Sequence, residues 1–193
     1  MTDDISTDDA PLATSKNSGN EAALADDLGV AERAAVTGQS VTINRPVHEL
    51  FAYFRDFGNL GTFMENVVRI DPVDNHRSHW VVKAPAGATV EWDARITDDV
   101  ANRLIAWESE LGADVANSGR IEFLDAGARG TVVTATIMYD PPAGIVGKLL
   151  AKMFQREPAI QARRDLRRFK QLMETGEIAT NAMNRDQFEE QDA

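Results

Sequence analysis

The 193-residue chain contains no cysteine. Disulfide bonds, thiolate catalysis, zinc fingers and iron–sulfur clusters are therefore excluded. The chain also has no apolar run of ~18 residues, the length that a membrane-spanning helix requires. Its start lacks the basic and apolar regions of a signal peptide, so we expect a cytoplasmic protein.

Positive charge is scarce as well: 20 Lys and Arg stand against 31 Asp and Glu, a net charge of −11. This balance argues against a nucleic-acid-binding protein. Most of the acidity lies at the ends, since residues 1–38 carry −6 and residues 178–193 carry −3. We predict a disordered acidic tail over 1–37, one folded domain over 38–178, and a second acidic tail over 179–193.

The middle of the chain changes its hydrophobic period twice. A short strand pattern, "QSVTI" (39–43), precedes the helical "RPVHELFAYFRDF", in which Pro46 suits the first turn, and "GNLGTF" starts a second short helix. Period-two alternation then predicts six more strands, in "NVVRIDPV", "SHWVVKA", "TVEWDARIT", "RLIAWES", "GRIEFLD" and "GTVVTATIMY".

Helical spacing returns from about Ala143 to Thr175, with Gly176 as its stop. Pro158 either kinks one long helix or begins the second of two. The order of elements predicts an α+β fold, in which a curved seven-stranded antiparallel sheet packs on a long C-terminal helix. Such a sheet tends to leave a cavity between itself and the helix.

Alternation also predicts which side chains face that helix. Glu91 and Asp93 must face water, which turns Trp92 inward, and Glu108 does the same for Trp107. The predicted inward wall comprises Trp80, Val82, Trp92, Ala94, Ile105, Trp107, Ile121, Phe123, Val133, Ile137 and Tyr139. It is either a filled aromatic core or the lining of a ligand pocket with polar groups such as Tyr139 and Ser109.

The ordered pattern resembles the START-like, or helix-grip, superfamily (SRPBCC), and within it the polyketide cyclase/dehydrase and coenzyme Q-binding START-domain group. The matching stretches are "INRPVHELFAYFRDFGNLGTFMENVVRI" (43–70), "WVVKAPAGATVEWDARITDDVANRLIAWES" (80–109), "SGRIEFLDAGARGTVVTATIMYDPPAG" (118–144) and "PAIQARRDLRRFKQLMETGEI" (158–178). The resemblance implies a helix-grip fold. It leaves function open, because the superfamily includes enzymes, carriers and chaperone regulators.

The stretch "MYDPPAGIVGKLLAKMF" (138–154) joins the last strand to the final helix. Its two prolines end the strand. In the helix-grip arrangement, its apolar turns would close one end of the cavity, with Leu149 and Met153 facing in. A membrane anchor is the alternative, but the run is short and carries two lysines.

Few residues offer chemistry. His48 is expected on the surface, and His76 and His79 do not share a strand face, so no metal site is predicted. Glu91 and Asp93 share a face that we assign to solvent. No cofactor-binding motif occurs, and Tyr139 is the one catalytic candidate.

Eight basic residues cluster near the final helix: Lys148, Lys152, Arg156, Arg163, Arg164, Arg167, Arg168 and Lys170. They form either a solvated helix face or a surface that docks on an anionic membrane.

Three functions remain open at this stage. The first is binding, transport or sequestration of a hydrophobic small molecule such as a lipid, a quinone or a polyketide-like compound. The second is a polyketide cyclase or dehydratase. The third is a protein-interaction module of the stress or chaperone-regulator type. The uncharged inward positions favour the first.

Overall fold

The computed structural model describes residues 35–84, 87–140 and 158–179. Its strands are β1 (Ala35–Ile43), β2 (Val67–Pro72), β3 (Arg77–Lys83), β4 (Thr89–Val100), β5 (Leu104–Ser109), β6 (Ala116–Asp125) and β7 (Thr131–Asp140). Its helices are α1 (Val47–Arg55), a 3₁₀ helix (Phe57–Thr62), a short 3₁₀ turn (Gly127–Arg129) and α2 (Pro158–Thr175).

The strands form one seven-stranded sheet in the order β1-β7-β6-β5-β4-β3-β2, and every neighbouring pair is antiparallel. The six consecutive strands form a meander, and β1 closes the sheet against β7. The predicted antiparallel sheet with two short helices after its first strand is therefore confirmed. Among the described helices, none is long and apolar enough to cross a membrane.

Three strands are longer than their patterns indicate. β1 begins at Ala35, three residues inside the segment predicted as tail, because Ala35–Gly38 pairs with Thr136–Tyr139 of β7. β4 runs on to Val100 through a bulge between Ile96 and Asp98. β6 begins at Ala116, three residues before its predicted start. These extensions depend on a neighbouring strand that supplies backbone partners, which a local pattern does not reveal.

The two short helices pack their apolar sides on the concave face of the sheet. Leu50 and Phe54 of α1 are buried, as are Phe57 and Leu60 of the 3₁₀ helix. Asp56 separates the two helices, and its carboxylate accepts a hydrogen bond from the backbone N–H of Gly58 at 3.1 Å. This cap satisfies a donor that the start of a helix otherwise leaves free.

Helix α2 lies along β1 and is anchored at its C-terminal end. Arg45 donates hydrogen bonds to the carbonyls of Met173 (2.7 Å) and Glu174 (3.2 Å), which suits a cation at a helix C-terminus. Lys170 donates to the carbonyl of Thr42 in β1 at 2.8 Å. The predicted stop at Gly176 is confirmed, since its φ of 83° ends the helix.

Candidate functional site

The predicted wall residues lie in and around one hydrophobic cluster on the concave face. Eight of them are buried there: Trp80, Val82, Ala94, Ile105, Trp107, Ile121, Phe123 and Val133. Trp92 and Ile137 are half-buried. The side chain of Tyr139, and all of Leu149 and Met153, lie outside the described residues.

Trp80 and Trp92 form a stacked pair across β3 and β4. Their ring centroids are 6.1 Å apart and their planes differ by 11°. Phe57 packs edge-on against Trp80, with centroids 5.8 Å apart. The Trp80 indole N–H donates to Ser78 Oγ at 2.9 Å, so its one polar group is already satisfied. Trp92 is only partly covered and keeps ring surface available for a contact.

The benzo edge of the Trp107 ring lies against the backbone of β6 at Gly119. Its Cα partner in the neighbouring strand is Gly119, and a Cβ at Gly119 would stand 2.5 Å from the Cζ2 of the Trp107 ring. Glycine is therefore required there, because any side chain would push the ring off the sheet. The indole covers the backbone that the glycine leaves bare.

A polar pair ends this aromatic wall one rung further along the same two strands. Ser109 Oγ accepts a hydrogen bond from the backbone N–H of Asn117 at 3.0 Å. The Asn117 side-chain amide donates to the carbonyl of Val115 at 3.0 Å. Asn117 is 9% exposed, which makes it one of the few buried polar side chains on the concave face.

Phenylalanines join α2 to the two short helices. Phe169 is fully buried, and its ring lies 4.7 Å from Phe63 and 5.9 Å from Phe54. Phe169 was not among the core residues predicted from the sequence. The helical spacing of Ala162, Leu166 and Phe169 would have indicated it.

A buried acid, Asp165, was not among the site residues predicted from the sequence. It is 8% exposed, and its Oδ1 accepts hydrogen bonds from Gln161 Nε2 (2.9 Å) and from the backbone N–H of Glu65 (3.3 Å). Burial raises the pKa of its carboxyl from 3.8 to about 6, although both hydrogen bonds and the charge of Arg168 act to lower it. Its position on the apolar stripe of α2, three residues after Ala162, was the available signal.

Asp165 belongs to a set of polar contacts that hold the segment between the 3₁₀ helix and β2, residues Phe63–Glu65. Arg168 donates to the carbonyl of Phe63 at 2.9 Å, and Lys83 donates to the carbonyl of Glu65 at 2.9 Å. Helix α2 is thus held at its middle by Asp165 and Arg168 and at its C-terminal end by Arg45.

The model for the family described as "Polyketide cyclase / dehydrase and lipid transport" matches residues 34–174. The chain belongs to this family. Protein DR_A0006 from Deinococcus radiodurans has a similar solved structure, with 38% sequence identity and a TM-score of 0.61 over 74% of this chain and 99% of that one. No curated protein matches the sequence.

Two more distant structures support the fold alone. TTHA0849 from Thermus thermophilus shares 23% identity, with a TM-score of 0.59 over 72% of this chain and 94% of that one. The Zhui aromatase/cyclase from Streptomyces sp. R1128 shares 15% identity, with a TM-score of 0.59 over 76% and 99%. The predicted helix-grip fold is therefore confirmed.

The histidines of this family member lie on its outside or at its edges. His48 and His76 are exposed. His79 sits on the convex face, where its Nδ1 lies 2.9 Å from Asp93 and its Nε2 lies 3.5 Å from Glu91. Within the described ranges, no group of three His, Asp or Glu residues has the geometry of a metal site. The two carboxylates face solvent and flank the His79 ring.

The described part of the basic cluster divides by exposure. Arg164 and Arg167 are exposed, whereas Arg168 and Lys170 donate to backbone carbonyls as described above. Lys148, Lys152 and Arg156 lie outside the described residues. Part of the cluster therefore anchors α2, while its outer arginines face solvent.

A cavity of about 170 Å³ opens beside the β2–β3 hairpin, lined by Phe57 and Ile96 among polar residues. Its Arg55 is already held by Asp99 (2.6 Å) and by the carbonyl of Asn75 (2.7 Å). Asp74 accepts from two backbone N–H groups of the hairpin itself. These charged side chains already have hydrogen-bond partners within the protein, and their contacts stabilise the hairpin.

Proposed function

We propose that this protein binds a hydrophobic small molecule between the concave face of its sheet and helix α2. The observation that carries the proposal is the half-buried Trp92, stacked on Trp80. The inward neighbours of this pair on β3 and β4 are uncharged: Ser78, Val82, Val90 and Ala94. An aromatic wall with a few polar groups is the usual lining of a small-molecule site. The uncovered part of the Trp92 ring is apolar surface that a hydrophobic ligand would remove from water.

The family supports the coarse form of this proposal. Its description joins polyketide cyclases and dehydrases with lipid transport, so both enzymes and carriers use the fold. The ligand classes we favour are a lipid, a quinone or a polyketide-like compound. We infer a carrier or sequestering protein, because a catalytic site needs an ionisable group beside the ligand and none of the inward neighbours of Trp80 and Trp92 on β3 and β4 is ionisable.

The test is native mass spectrometry of the full-length protein, followed by extraction of what co-purifies. We expect an additional mass that is lost on organic extraction. Trp92→Ala should reduce ligand retention. It should also lower the free energy of unfolding by less than about 3–5 kcal/mol, the loss that is typical of a tightly packed core position. Three results together would contradict the proposal. The protein would carry no added mass and would bind no member of a panel of fatty acids, quinones and aromatic polyketide analogues. In addition, Trp92→Ala would lower the free energy of unfolding by the full amount expected of a packed core position. The protein-interaction module would then be favoured.

A cyclase or dehydratase is the second candidate, and Asp165 is the observation that favours it. A carboxyl with a pKa near 6 can both donate and accept a proton close to neutral pH. Two solved relatives are named as aromatase/cyclases, at 15% and 12% identity, which supports a shared fold. The test is turnover of a poly-β-keto substrate by the wild-type protein and by Asp165→Asn. If the wild type turns the substrate over, and Asp165→Asn abolishes turnover but still binds the ligand, the second function is established over the first.

A further inference from the structure

We propose that the outer side of helix α2 docks on the headgroups of an anionic phospholipid membrane through an arginine face, formed by Ile160, Arg163, Arg164 and Arg167. The arginines bind the lipid phosphates, and Ile160 enters the headgroup layer beside them. The inference goes beyond the proposed function, because it concerns the outside of the domain and holds whatever molecule the interior binds.

The residues of the arginine face share one side of α2. Ile160, Arg164 and Arg167 follow each other at spacings of four and three residues, which places them on one side of a helix. All three are exposed, and Ile160 is 46% exposed. Arg163 lies one turn before Arg167 and is half-buried. The opposite side of the helix faces the core through Leu166, so the arginine face is free of packing duties.

The arginines of this face have no partner in the part of the chain that the structure describes. Other arginines on the surface, such as Arg69 and Arg95, pair with a nearby carboxylate. Arg163, Arg164 and Arg167 have neither an ion pair nor a hydrogen bond from their side chains within the described ranges. The acid nearest to them in sequence, Asp165, is buried and bound by Gln161 and the backbone of Glu65. The arginine face is therefore a local positive charge that no described carboxylate neutralises.

Arg163 adds an observation that a solvated helix face does not explain. Its Nε is buried and has no hydrogen-bond partner. A buried N–H without an acceptor costs free energy. The other described arginine with such an Nε, Arg120, has the carboxylate of Glu122 3.3 Å away, whereas Arg163 has no carboxylate.

A phosphate supplies what Arg163 lacks. No hydrogen bond fixes this side chain, so its guanidinium can turn outward. Two phosphate oxygens can then accept parallel hydrogen bonds from the planar fork, and Nε gains an acceptor.

Ile160 indicates a membrane rather than another polyanion. An apolar side chain next to arginines is typical of a helix that lies in the membrane interface, with the apolar group below the phosphates. A nucleic acid offers phosphates but no apolar layer. The net charge of −11 does not prevent docking, because charges more than about 8 Å from the contact are screened at physiological salt.

The experiment is sedimentation of the full-length protein with vesicles of phosphatidylcholine alone or of equal parts phosphatidylcholine and phosphatidylglycerol. We expect binding to the mixed vesicles only, and its loss at about 1 M salt, where screening acts within about 3 Å. Arg164→Gln/Arg167→Gln should weaken binding about fivefold for each arginine. Ile160→Ser should weaken it as well. Arg163→Lys should bind less tightly than wild type although the charge is unchanged, because lysine has no planar fork.

Two controls match these changes elsewhere on the surface. Arg103→Gln/Arg129→Gln removes the same charge from two exposed arginines whose side chains also have no described partner. Leu124→Ser removes an apolar side chain that is 68% exposed. Both should bind the mixed vesicles as the wild type does. Circular dichroism and the melting temperature identify any variant that fails to fold.

The outcomes are distinct from those of the proposed function, since Trp92→Ala changes the interior and should leave vesicle binding unchanged. Docking is refuted if the wild type does not prefer the mixed vesicles, or if Arg164→Gln/Arg167→Gln binds them equally well. An equal loss in Arg103→Gln/Arg129→Gln would also refute it, because net charge alone would then explain the binding. A protein that binds a DNA duplex through these arginines but no vesicle would overturn the choice of partner. Wild-type binding by Arg163→Lys would overturn the role given to Arg163.

Discussion

Replacing Asp165 by Asn should stabilise the protein at neutral pH. The carboxyl is 8% exposed, and its pKa rises from 3.8 to about 6, chiefly because burial disfavours the charged form. At about 1.4 kcal/mol for each pKa unit, ionisation of this group costs the folded state about 3 kcal/mol relative to the unfolded chain. Asparagine keeps an oxygen that can accept the hydrogen bonds from Gln161 and the Glu65 backbone, and it carries no charge.

The direction of the pH dependence follows from linkage. Well below the unfolded-state pKa of 3.8, the carboxyl is protonated in both states, and the folded state has its full advantage. As the pH rises towards 6, the unfolded chain ionises first, and the contribution of Asp165 to stability is lost. The wild-type protein should therefore lose stability at this site between about pH 4 and pH 7, whereas Asp165→Asn should not.

The assay is urea unfolding of both proteins at about pH 4.5 and about pH 7.5, followed by tryptophan fluorescence. The free energy of unfolding of Asp165→Asn, relative to wild type, should increase by about 1–3 kcal/mol between the two pH values. Asp98→Asn is the control, since it removes a carboxylate that is exposed. The reasoning would be refuted if the difference in the free energy of unfolding between Asp165→Asn and wild type did not change with pH, or if it fell as the pH rises.

Three further predictions concern the sheet, the tails and the surface. Gly119→Ala should destabilise the protein by about 1–3 kcal/mol, because its Cβ would meet the Trp107 ring at 2.5 Å; chemical denaturation measures this, and a neutral result would mean that the ring moves freely. A chain of residues 34–179 should melt within about 8 °C of the full-length protein, since the predicted tails carry little apolar surface; a larger drop would show that a tail packs on the domain. The same shortened chain should bind anionic vesicles at low salt and lose binding in Arg164→Glu/Arg167→Glu; equal sedimentation of both chains would refute docking through these arginines.

The sequence by itself determined the order of elements and the faces of the strands. Period-two alternation assigned Trp92 inward because its neighbours Glu91 and Asp93 lose hydration if they are buried, and the structure exposes both carboxylates. The same rule placed Trp107 inward, where it is buried. Gly176 ends α2 because a backbone position with positive φ favours glycine. Each of these inferences depends on a residue and its immediate neighbours, which is the range over which a sequence pattern carries information.

Tertiary structure alone decided the rest. The contact between the Trp107 ring and Gly119 follows from strand register, which brings the glycine opposite the tryptophan from a different part of the chain. The start of β1 at Ala35 depends on backbone partners in β7, since this segment has no alternating pattern of its own. Asp165 stands among basic residues in the sequence, and only the packing of α2 against residues 63–65 removes it from water and raises its pKa. Burial and register arise from contacts between residues distant in sequence, so no local pattern contains them.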